Sequence, residues 1–257
     1  MYSLESPASA RRRVDLAAFR PRAFVFDLDG TLTDNMGAHA AAFLTFMRRH
    51  GLHPMTIADR KQFDGRRNSE IFPHLFGRDL TRDELLAFEE EKEGIYREAT
   101  GGHLRPMPGL AELLDAARSH GVAVAVATSA PRANVEHTLP EIGLGWLLDH
   151  VVRGDEVPRG KPFPDVFVEA ARRVGVPPSE CLGFEDAPIG VEAAVSAGMA
   201  CVAVTTSFDE ATLMASRVPP HGCVRDYLAY LDGPGSWLRA DVPQPPRPHV
   251  TDRSGAP

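Results

Sequence analysis

The sequence predicts an α/β fold with a doubly wound parallel β-sheet and a helical insertion. Short apolar, β-branched runs indicate buried strands at residues 24–26, 122–128, 181–184 and 200–205. Amphipathic helical patterns lie between the later strands, as in residues 110–117, where apolar residues recur at i, i+3, i+4 and i+7. Apolar strands that alternate with amphipathic helices are typical of a parallel sheet covered on both faces.

A second, helical region follows the first predicted strand. Residues 35–105 contain charge-rich helical stretches, such as residues 81–93, and no convincing strand pattern. This segment is too long for a loop in a compact domain, so we interpret it as an inserted helical cap domain, with residues 89–91 on a solvated helix face. The catalytic core is then expected to comprise residues 1–34 and 106–230.

The two ends of the chain are expected to lie outside the core. Residues 1–22 contain three consecutive arginines without the apolar run of a secretory signal, so we interpret them as a flexible leader, with a transit peptide as the alternative. Residues 231–257 are rich in proline and glycine, which predicts a disordered or loosely attached tail.

Composition narrows the classes of function. Hydrophobic residues make up 43% of the 257 residues, which is ordinary for a globular protein. The net charge is −7, so neither nucleic acid nor an anionic membrane surface is favoured as a partner. No apolar stretch is long enough to span a bilayer. The three cysteines are widely spaced and match no metal-binding pattern, which indicates reduced thiols and a cytoplasmic protein. We expect a monomer.

The chemically distinctive residues fall at the predicted carboxyl ends of strands, where open parallel sheets bind their ligands. They are Asp27, Asp29, Thr128, Ser129, Glu185 and Asp186, with Lys161 in a loop before a helix. Residues two apart at the end of a strand point the same way, so Asp27 and Asp29 can face one pocket. Clustered carboxylates repel one another unless a cation lies among them, and Mg²⁺ suits such oxygen ligands.

This set of groups is suited to phosphoryl transfer. Lys161 and Thr128 can donate hydrogen bonds to phosphoryl oxygens, and Gly30 permits a tight loop that brings backbone N–H groups near them. One carboxylate can attack phosphorus while a second moves protons. The sequence therefore predicts a magnesium-dependent enzyme that acts on a small phosphorylated metabolite.

Four motifs resemble, in order, those of the haloacid dehalogenase superfamily. They are Asp27-Leu-Asp-Gly-Thr-Leu-Thr-Asp34, Thr128, Lys161-Pro-Phe-Pro-Asp165, and Gly183-Phe-Glu-Asp-Ala-Pro-Ile-Gly-Val-Glu-Ala-Ala194. The pattern is most similar to the branch that holds β-phosphoglucomutases and small sugar phosphatases. The resemblance covers about residues 24–206 and implies a Rossmann-like core with an inserted cap.

The resemblance also implies roles for single residues. Asp27 would be the nucleophile, Asp29 the general acid/base, and Thr128, with Ser129 beside it, and Lys161 the phosphate ligands. Mg²⁺ would be held by Asp27, the backbone carbonyl of Asp29, and Asp186, with Glu185 beside them. The second aspartate, Asp29, argues against a haloalkanoate dehalogenase, because that branch lacks it.

The cap signals are less specific. His39 lies where similar proteins carry a hinge histidine, and helix packing is the alternative. Residues 63–71 resemble a glycine-containing specificity loop, in which Arg66 and Arg67 would grip a second anionic group or would be surface arginines. Lys61 lies in a charged stretch that reads as exposed, which disfavours a Schiff-base role.

Three functions remain open from sequence alone. A phosphatase, acting on small phosphate monoesters such as sugar phosphates, is favoured. A phosphosugar mutase would use the same core residues, but this chain has Asn68 nearest the position of the mutase arginine, and Pro131-Arg132-Ala-Asn134 where a Lys-Asn pair is expected. A one-residue shift would let Arg67 or Arg132 substitute, so this departure weakens the mutase alternative without removing it. A receiver-like or other non-catalytic phospho-binding protein is the remote alternative, because receivers are shorter and lack the cap.

Overall fold

The computed structural model describes residues 14–56 and 61–240, and its centre is one six-stranded parallel sheet. The strands are β1 (Ala23–Phe26), β2 (Ala123–Thr128), β3 (Val151–Arg153), β4 (Cys181–Glu185), β5 (Ala200–Val204) and β6 (Gly222–Val224). Their order is β3-β2-β1-β4-β5-β6, and each neighbouring pair is parallel. The predicted α/β class is confirmed. The sequence did not reveal β3 and β6, since three residues are too few to show a pattern.

Helices follow and precede these strands along the chain. They are α1 (Met36–Arg49), α2 (Asn68–Phe76), α3 (Arg82–Thr100), α4 (Leu110–Ser119), α5 (Arg132–Glu141), α6 (Asp165–Arg173), α7 (Pro188–Ser196), α8 (Glu210–Met214), α9 (Tyr227–Asp232) and α10 (Trp237–Ala240). Short 3-10 helices occupy Gly145–His150, Gly154–Glu156 and Pro178–Glu180. No helix within the described ranges is both long and apolar enough to cross a membrane.

The central strand β1 packs a different core on each face of the sheet. Phe24 and Phe26 lie in one buried cluster, whereas Ala23 and Val25 lie in the other. Successive side chains of a strand point to opposite faces, so a strand that is apolar at every position must be covered on both sides. This arrangement fixes β1 firmly and leaves its carboxyl end as a rigid support.

The segment between β1 and β2 is helical, as expected, and contains no strand in its described part, residues 35–56 and 61–105. Its helices α1, α2 and α3 enclose a cluster of their own, which includes Phe43, Phe46, Met47, Phe63, Ile71 and Phe72. At the start of α3, Thr81 and Glu84 form a capping box that satisfies two backbone N–H groups. We refer to residues 35–105 as the cap; its exact bounds stay a prediction.

The cap joins the core through two neighbouring segments. Thr33 pairs with Pro106 in an isolated bridge, and the Thr33 hydroxyl donates to the carbonyl of Arg105 at 2.7 Å. The N–H of Met107 donates to Leu32 O at 2.9 Å. Because both crossings lie side by side, they form a natural place for the cap to pivot.

The expected tail boundary was wrong. Leu231 and Leu238 are buried in the core, and α10 packs on α4. The glycines and the proline of residues 233–235 form a tight turn between α9 and α10, where Gly235 lies against the ring of Tyr230. That composition resembles a linker in the sequence. Of the predicted leader, Leu16 and Phe19 also pack against the core; residues 1–13 and 241–257 lie outside the described ranges.

Candidate active site

The carboxyl ends of β1 and β4 bring Asp27 and Glu185 together around Lys161. The N–H of Asp27 donates to the carbonyl of Phe184 at 2.9 Å, which keeps the two strands in register to their ends. Lys161 Nζ lies 2.5 Å from Asp27 Oδ1 and 2.8 Å from Glu185 Oε1. The Lys161 side chain is completely buried, so solvent does not screen these ion pairs.

Three carboxylates at this edge form a candidate cation site. Ligand oxygens of Asp27, Glu185 and Asp186 lie within 4.8 Å of one another. The pKa of Asp27 is raised to about 7, chiefly by burial. The charge of Glu185 adds to this increase, and Lys161 opposes it. Burial also raises the pKa of Asp186, together with the charges of Glu185 and Asp27. The ionised carboxylates would repel one another, and a divalent cation bound between their oxygens would offset that repulsion. The three carboxylates therefore fit a divalent cation.

Backbone groups and glycines hold these carboxylates in place. Glu185 Oε2 accepts hydrogen bonds from the N–H groups of Asp186 and Ala187, each at 2.7 Å. A Cβ atom on Gly190 would overlap the Glu185 carboxylate, and one on Gly30 would overlap that of Asp186. Gly30 also has a φ of +80°, a conformation that favours glycine. Both glycines are therefore required by the position of the acidic groups.

Asp29 faces the cap instead of the group of three carboxylates. Its Oδ1 accepts a hydrogen bond from Asn35 Nδ2 at 2.6 Å and lies 3.4 Å from His39 Nε2. Burial raises the pKa of Asp29, but His39 and Asn35 outweigh it and hold that pKa below its usual value. The His39 ring stacks on Tyr96 at a centroid distance of 3.8 Å. His39 therefore connects the cap helices α1 and α3 to the expected acid/base.

Behind His39 lies a buried polar network that begins in the cap. Lys92 Nζ lies 2.9 Å from His39 Nδ1 and 2.9 Å from Glu93 Oε1. Glu93 also accepts from Asn68 Nδ2 at 2.8 Å and from Asn134 Nδ2 at 2.7 Å. Asn134 belongs to α5 of the core, so this network crosses the junction of cap and core.

Thr128 and Ser129 follow β2 but make different contacts. Thr128 Oγ1 accepts a hydrogen bond from the N–H of Ala130 at 3.0 Å and is buried beside the cavity. The Ser129 hydroxyl donates to the carbonyl of Gly65 in the cap at 2.6 Å. Both residues line the same cavity as Asp27. In this closed arrangement the Ser129 side chain connects core to cap.

The two arginines of the cap loop are separated in the structure. Arg66 lines the cavity, and its Nη1 lies 3.9 Å from Glu70 Oε2. Arg67 points away from the cavity, donates to Glu70 Oε1 from Nη2 at 2.9 Å, and reaches the carbonyl of Gly154 at 3.2 Å. Arg66 is thus placed to meet a ligand in the cavity, whereas Arg67 holds the cap loop against the core.

The cavity lies between the cap and the carboxyl end of the sheet and has a volume of about 80 Å³. Among the residues expected to act, its lining includes Asp27, Asp29, His39, Arg66, Thr128, Ser129 and Asp186. Lys161 and Glu185 lie beneath that lining, in their ion pairs with Asp27. The structure brings the core residues to one place, while their chemical roles stay predictions.

Sequence reasoning missed several residues of this cavity. Lys92, Glu93 and Asp64 line it, and all three are buried. A signal for Lys92 was present, because it lies one helical turn after Phe88 and before Tyr96, on the apolar stripe of α3. The solvated interpretation of residues 89–91 was wrong for Glu89, which is half-buried and accepts a hydrogen bond from Asn68 at 3.2 Å.

Residues 21–198 match the family model of the haloacid dehalogenase-like hydrolases. A validoxylamine A 7'-phosphate phosphatase of Streptomyces hygroscopicus subsp. limoneus is 34% identical over 76% of this chain and 90% of the relative. A fructose-1-phosphate phosphatase of Escherichia coli is 33% identical over 70% of this chain and 94% of the relative.

Two further proteins are similar to this chain, one of them much longer and the other compared by its solved structure. The chain is 33% identical, over 81% of its length, to the chloroplastic SUPPRESSOR OF QUENCHING 1 protein of Arabidopsis thaliana, and spans only 20% of that protein. The solved structure of a putative beta-phosphoglucomutase from Bacteroides vulgatus superposes with a TM-score of 0.70 at 25% identity, covering 85% of this chain and 88% of that one.

Proposed function

This chain belongs to the haloacid dehalogenase-like hydrolases, and we propose that it is a Mg²⁺-dependent phosphatase of small phosphate monoesters, with sugar phosphates as the substrate class. The observation that carries the proposal is the convergence of Asp27, Lys161, Glu185 and Asp186 in one buried group. The similarity to a fructose-1-phosphate phosphatase and to a validoxylamine A 7'-phosphate phosphatase supports the substrate class.

In the first half of the reaction, an Asp27 carboxylate oxygen attacks phosphorus and the bond from phosphorus to the leaving oxygen breaks. The product is an aspartyl-phosphate, and Asp29 gives a proton to the departing alkoxide. In the second half, water attacks phosphorus, Asp29 takes its proton, and the bond to Asp27 breaks to release phosphate. Lys161 and Thr128 donate to the phosphoryl oxygens throughout.

The contacts of Asp29 suit one half of this cycle directly. Held ionised by His39 and Asn35, Asp29 can take a proton from the attacking water. As an acid it must first be protonated, and loosening its contact with His39 removes a cause of its lowered pKa. Movement of the cap, which carries His39, is therefore a means of switching Asp29 between its two roles.

The carboxylates fit a magnesium ion as a resident cofactor. Asp27 and Asp186 would hold it, with the backbone carbonyl of Asp29 as a further ligand and Glu185 beside them. When bound, Mg²⁺ would neutralise charge that builds up on the phosphoryl group.

A phosphosugar mutase is the second candidate, supported by similarity to the putative beta-phosphoglucomutase. A mutase must hold a second phosphate at the far end of its substrate. Arg67 is engaged by Glu70 and Gly154, and Asn68 directs its amide nitrogen to carboxylates, so neither offers that grip. Arg66, which lines the cavity, is left as the arginine that could hold a second phosphate, so the preference for a phosphatase rests on the similarity to phosphatases. We also propose, from sequence alone, that the protein acts as a monomer in the cytoplasm.

The test is phosphate release from an aryl phosphate and a panel of sugar phosphates, with Mg²⁺ and with EDTA. We expect turnover with Mg²⁺ only, and none for Asp27→Asn, which keeps the size of the side chain but removes the nucleophilic charge. Turnover retained by Asp27→Asn would refute the mechanism. With β-glucose 1-phosphate and a trace of the 1,6-bisphosphate, glucose 6-phosphate forming faster than phosphate would establish the mutase instead.

A further inference from the structure

A row of polar contacts joins helix α3 of the cap to helix α5 of the core. Glu93 Oε2 accepts a hydrogen bond from Asn134 Nδ2 at 2.7 Å, and Arg97 Nη1 donates to Asn134 Oδ1 at 3.0 Å. Further along both helices, Thr100 Oγ1 lies 2.9 Å from His137 Nε2. One face of α3 therefore lies along one face of α5, and any movement that separates the cap from the core here must break these contacts.

Asn134 uses both ends of its side-chain amide in this row. It is completely buried, its nitrogen donates to a carboxylate of the cap, and its oxygen accepts from a guanidinium of the cap. Turning the amide over would leave buried polar atoms unpaired, so its orientation is fixed. Asn134 in turn fixes the rotation of the Glu93 carboxylate. Oε2 of that carboxylate faces the core, and Oε1 faces Lys92 and Asn68 in the cap.

From Glu93 the contacts lead to Asp29 through Lys92 and His39. Lys92 Nζ donates to Glu93 Oε1 at 2.9 Å and lies 2.9 Å from His39 Nδ1. An ammonium group has only hydrogens to offer, so Nδ1 accepts and the ring hydrogen of His39 is assigned to Nε2. His39 Nε2 lies 3.4 Å from Asp29 Oδ1. The position of Lys92 thus decides whether His39 presents a hydrogen to Asp29.

We propose that Asn134 is a positioning residue: from the core, it acts through the polar network of the cap to direct the His39 hydrogen to Asp29 when the cap is closed. Asn134 lies in the first turn of α5, directly after residues 128–131, which line the cavity. Closure of the cap on this segment and preparation of the acid/base then occur together. The inference rests on the proposed phosphatase activity.

Direct contact with the substrate is the competing role for Asn134, because it also lines the cavity. Its amide nitrogen and oxygen are both engaged by the cap, at 2.7 Å and 3.0 Å, which favours the positioning role. The two roles differ in what they require at position 134. A positioning residue needs only a complementary partner at position 93, whereas a substrate ligand needs the amide itself.

Asn134→Asp tests the contact with Glu93. Burial raises the pKa of Glu93, but Lys92, His39 and Asn68 outweigh that effect and lower it to about 2, so Glu93 is charged at neutral pH. The new carboxylate would keep an oxygen for Arg97 but would repel Glu93 where no solvent screens the charges. Glu93 should turn away from α5, and Lys92 should move with it.

The measurement compares kcat for an aryl phosphate, p-nitrophenyl phosphate, with kcat for the sugar phosphate that the wild type hydrolyses fastest. An alkoxide leaving group needs a proton more than a nitrophenolate does. In Asn134→Asp the sugar phosphate should therefore lose roughly ten-fold more than the aryl phosphate, a part of the ~10²–10⁴-fold that acid assistance supplies. Faster hydrogen exchange of the α3 amides, measured without substrate, would report the lost cap contact independently of activity.

A double variant, Glu93→Gln with Asn134→Asp, exchanges donor and acceptor. The new amide at position 93 can donate to the new carboxylate at position 134, Lys92 keeps an oxygen to bind, and the net charge equals that of the wild type. The ratio of the two kcat values should return to within a few-fold of the wild-type ratio. Thr100→Val is the matched control: it removes the contact with His137, which is not connected to His39, and should leave the ratio unchanged.

Several outcomes would overturn the inference. An unchanged ratio in an active Asn134→Asp enzyme is one, and an equal change in Thr100→Val, which would reduce Asn134 to holding two helices together, is another. A ratio that the double variant does not restore would assign Asn134 to the substrate. If Asn134→Asp does not fold, Asn134→Ser gives the same comparison without the added charge. A wild-type enzyme that cleaves no ester, including the aryl phosphate, would instead refute the proposed phosphatase itself, and the inference with it.

Discussion

Lys161 Nζ lies 2.5 Å from Asp27 Oδ1, so the expected nucleophile and the expected phosphate ligand form one buried ion pair. Glu185 shares the same ammonium group from the other side at 2.8 Å. Lys161 thus stabilises the ionised carboxylate that must attack phosphorus. A cation in this position also limits the repulsion among the acidic groups at the ends of β1 and β4.

Replacing Lys161 should therefore destabilise the fold as well as reduce activity. Lys161→Met leaves two buried carboxylates without their partner, a loss of about 3–5 kcal/mol in the free energy of unfolding. Urea unfolding in EDTA measures it, and saturating Mg²⁺ should restore part of the loss. Arg132→Met removes an exposed positive charge paired with Glu136 and should leave the unfolding midpoint unchanged. An unchanged midpoint for Lys161→Met would show that the buried pair is not stabilising.

Gly190 is expected to be essential to the position of Glu185. In Gly190→Ala the new methyl group would overlap the Glu185 carboxylate, which must move away from Lys161. We expect lower thermal stability and a fall in kcat. Gly37→Ala, in α1, is the matched control, since nothing lies within 4 Å of its Cβ position; that change should stabilise the helix by about 0.5–1 kcal/mol. Equal effects of the two substitutions would contradict the steric argument.

The acid/base role of Asp29 can be tested by a substitution that leaves the neighbouring carboxylates unchanged. Asp29→Asn keeps the hydrogen-bonding shape but cannot transfer protons, so kcat should fall by ~10²–10⁴-fold with an alkyl phosphate. An aryl phosphate, whose leaving group needs less protonation, should lose less. Asp34→Asn changes a nearby exposed aspartate and should retain wild-type kcat. Equal losses with the alkyl and aryl esters would argue against a role for Asp29 as the acid.

Site residues at the ends of strands could be predicted from the sequence. Residues whose burial or role depends on tertiary contacts could not. Asp27 and Asp186 were predictable because a parallel sheet places the carboxyl ends of its strands at one edge. Lys92 was missed because helical periodicity marks a buried stripe without naming which polar partners will satisfy a charge within it. Leu238 was missed for a related reason: the composition of the preceding turn resembles that of a linker, and only packing against α4 distinguishes the two.

Magnesium should stabilise the protein more at high pH than at low pH. The pKa of Asp27 is raised from 3.8 to about 7, so in the absence of metal the folded protein keeps this proton while the unfolded chain has lost it. The contribution of Asp27 to stability without metal therefore falls as pH rises from about 4 to about 7. Metal binding requires the ionised carboxylate, so the increase in melting temperature on adding Mg²⁺ should grow across that window.

The measurement is thermal unfolding from pH 5 to pH 8, with Mg²⁺ or EDTA, at matched ionic strength. Sodium chloride in place of magnesium chloride controls for general screening. A melting-temperature increase that is independent of pH would show that Asp27 does not have to lose a proton when the metal binds.

Two roles for Ser129 can be tested against each other: a phosphate ligand and a contact that closes the cap. The sequence predicts a phosphate ligand, whereas the structure directs the Ser129 hydroxyl to Gly65 O of the cap at 2.6 Å. If the hydroxyl closes the cap, Ser129→Ala should lower kcat/KM for a sugar phosphate several-fold, the effect of about one hydrogen bond, and leave competitive inhibition by orthophosphate unchanged. Thr128→Val should instead weaken that inhibition directly. If Ser129→Ala and Thr128→Val weakened inhibition by orthophosphate equally, Ser129 would be a phosphate ligand as the sequence predicts, because loss of a cap contact alone does not remove a donor to phosphate.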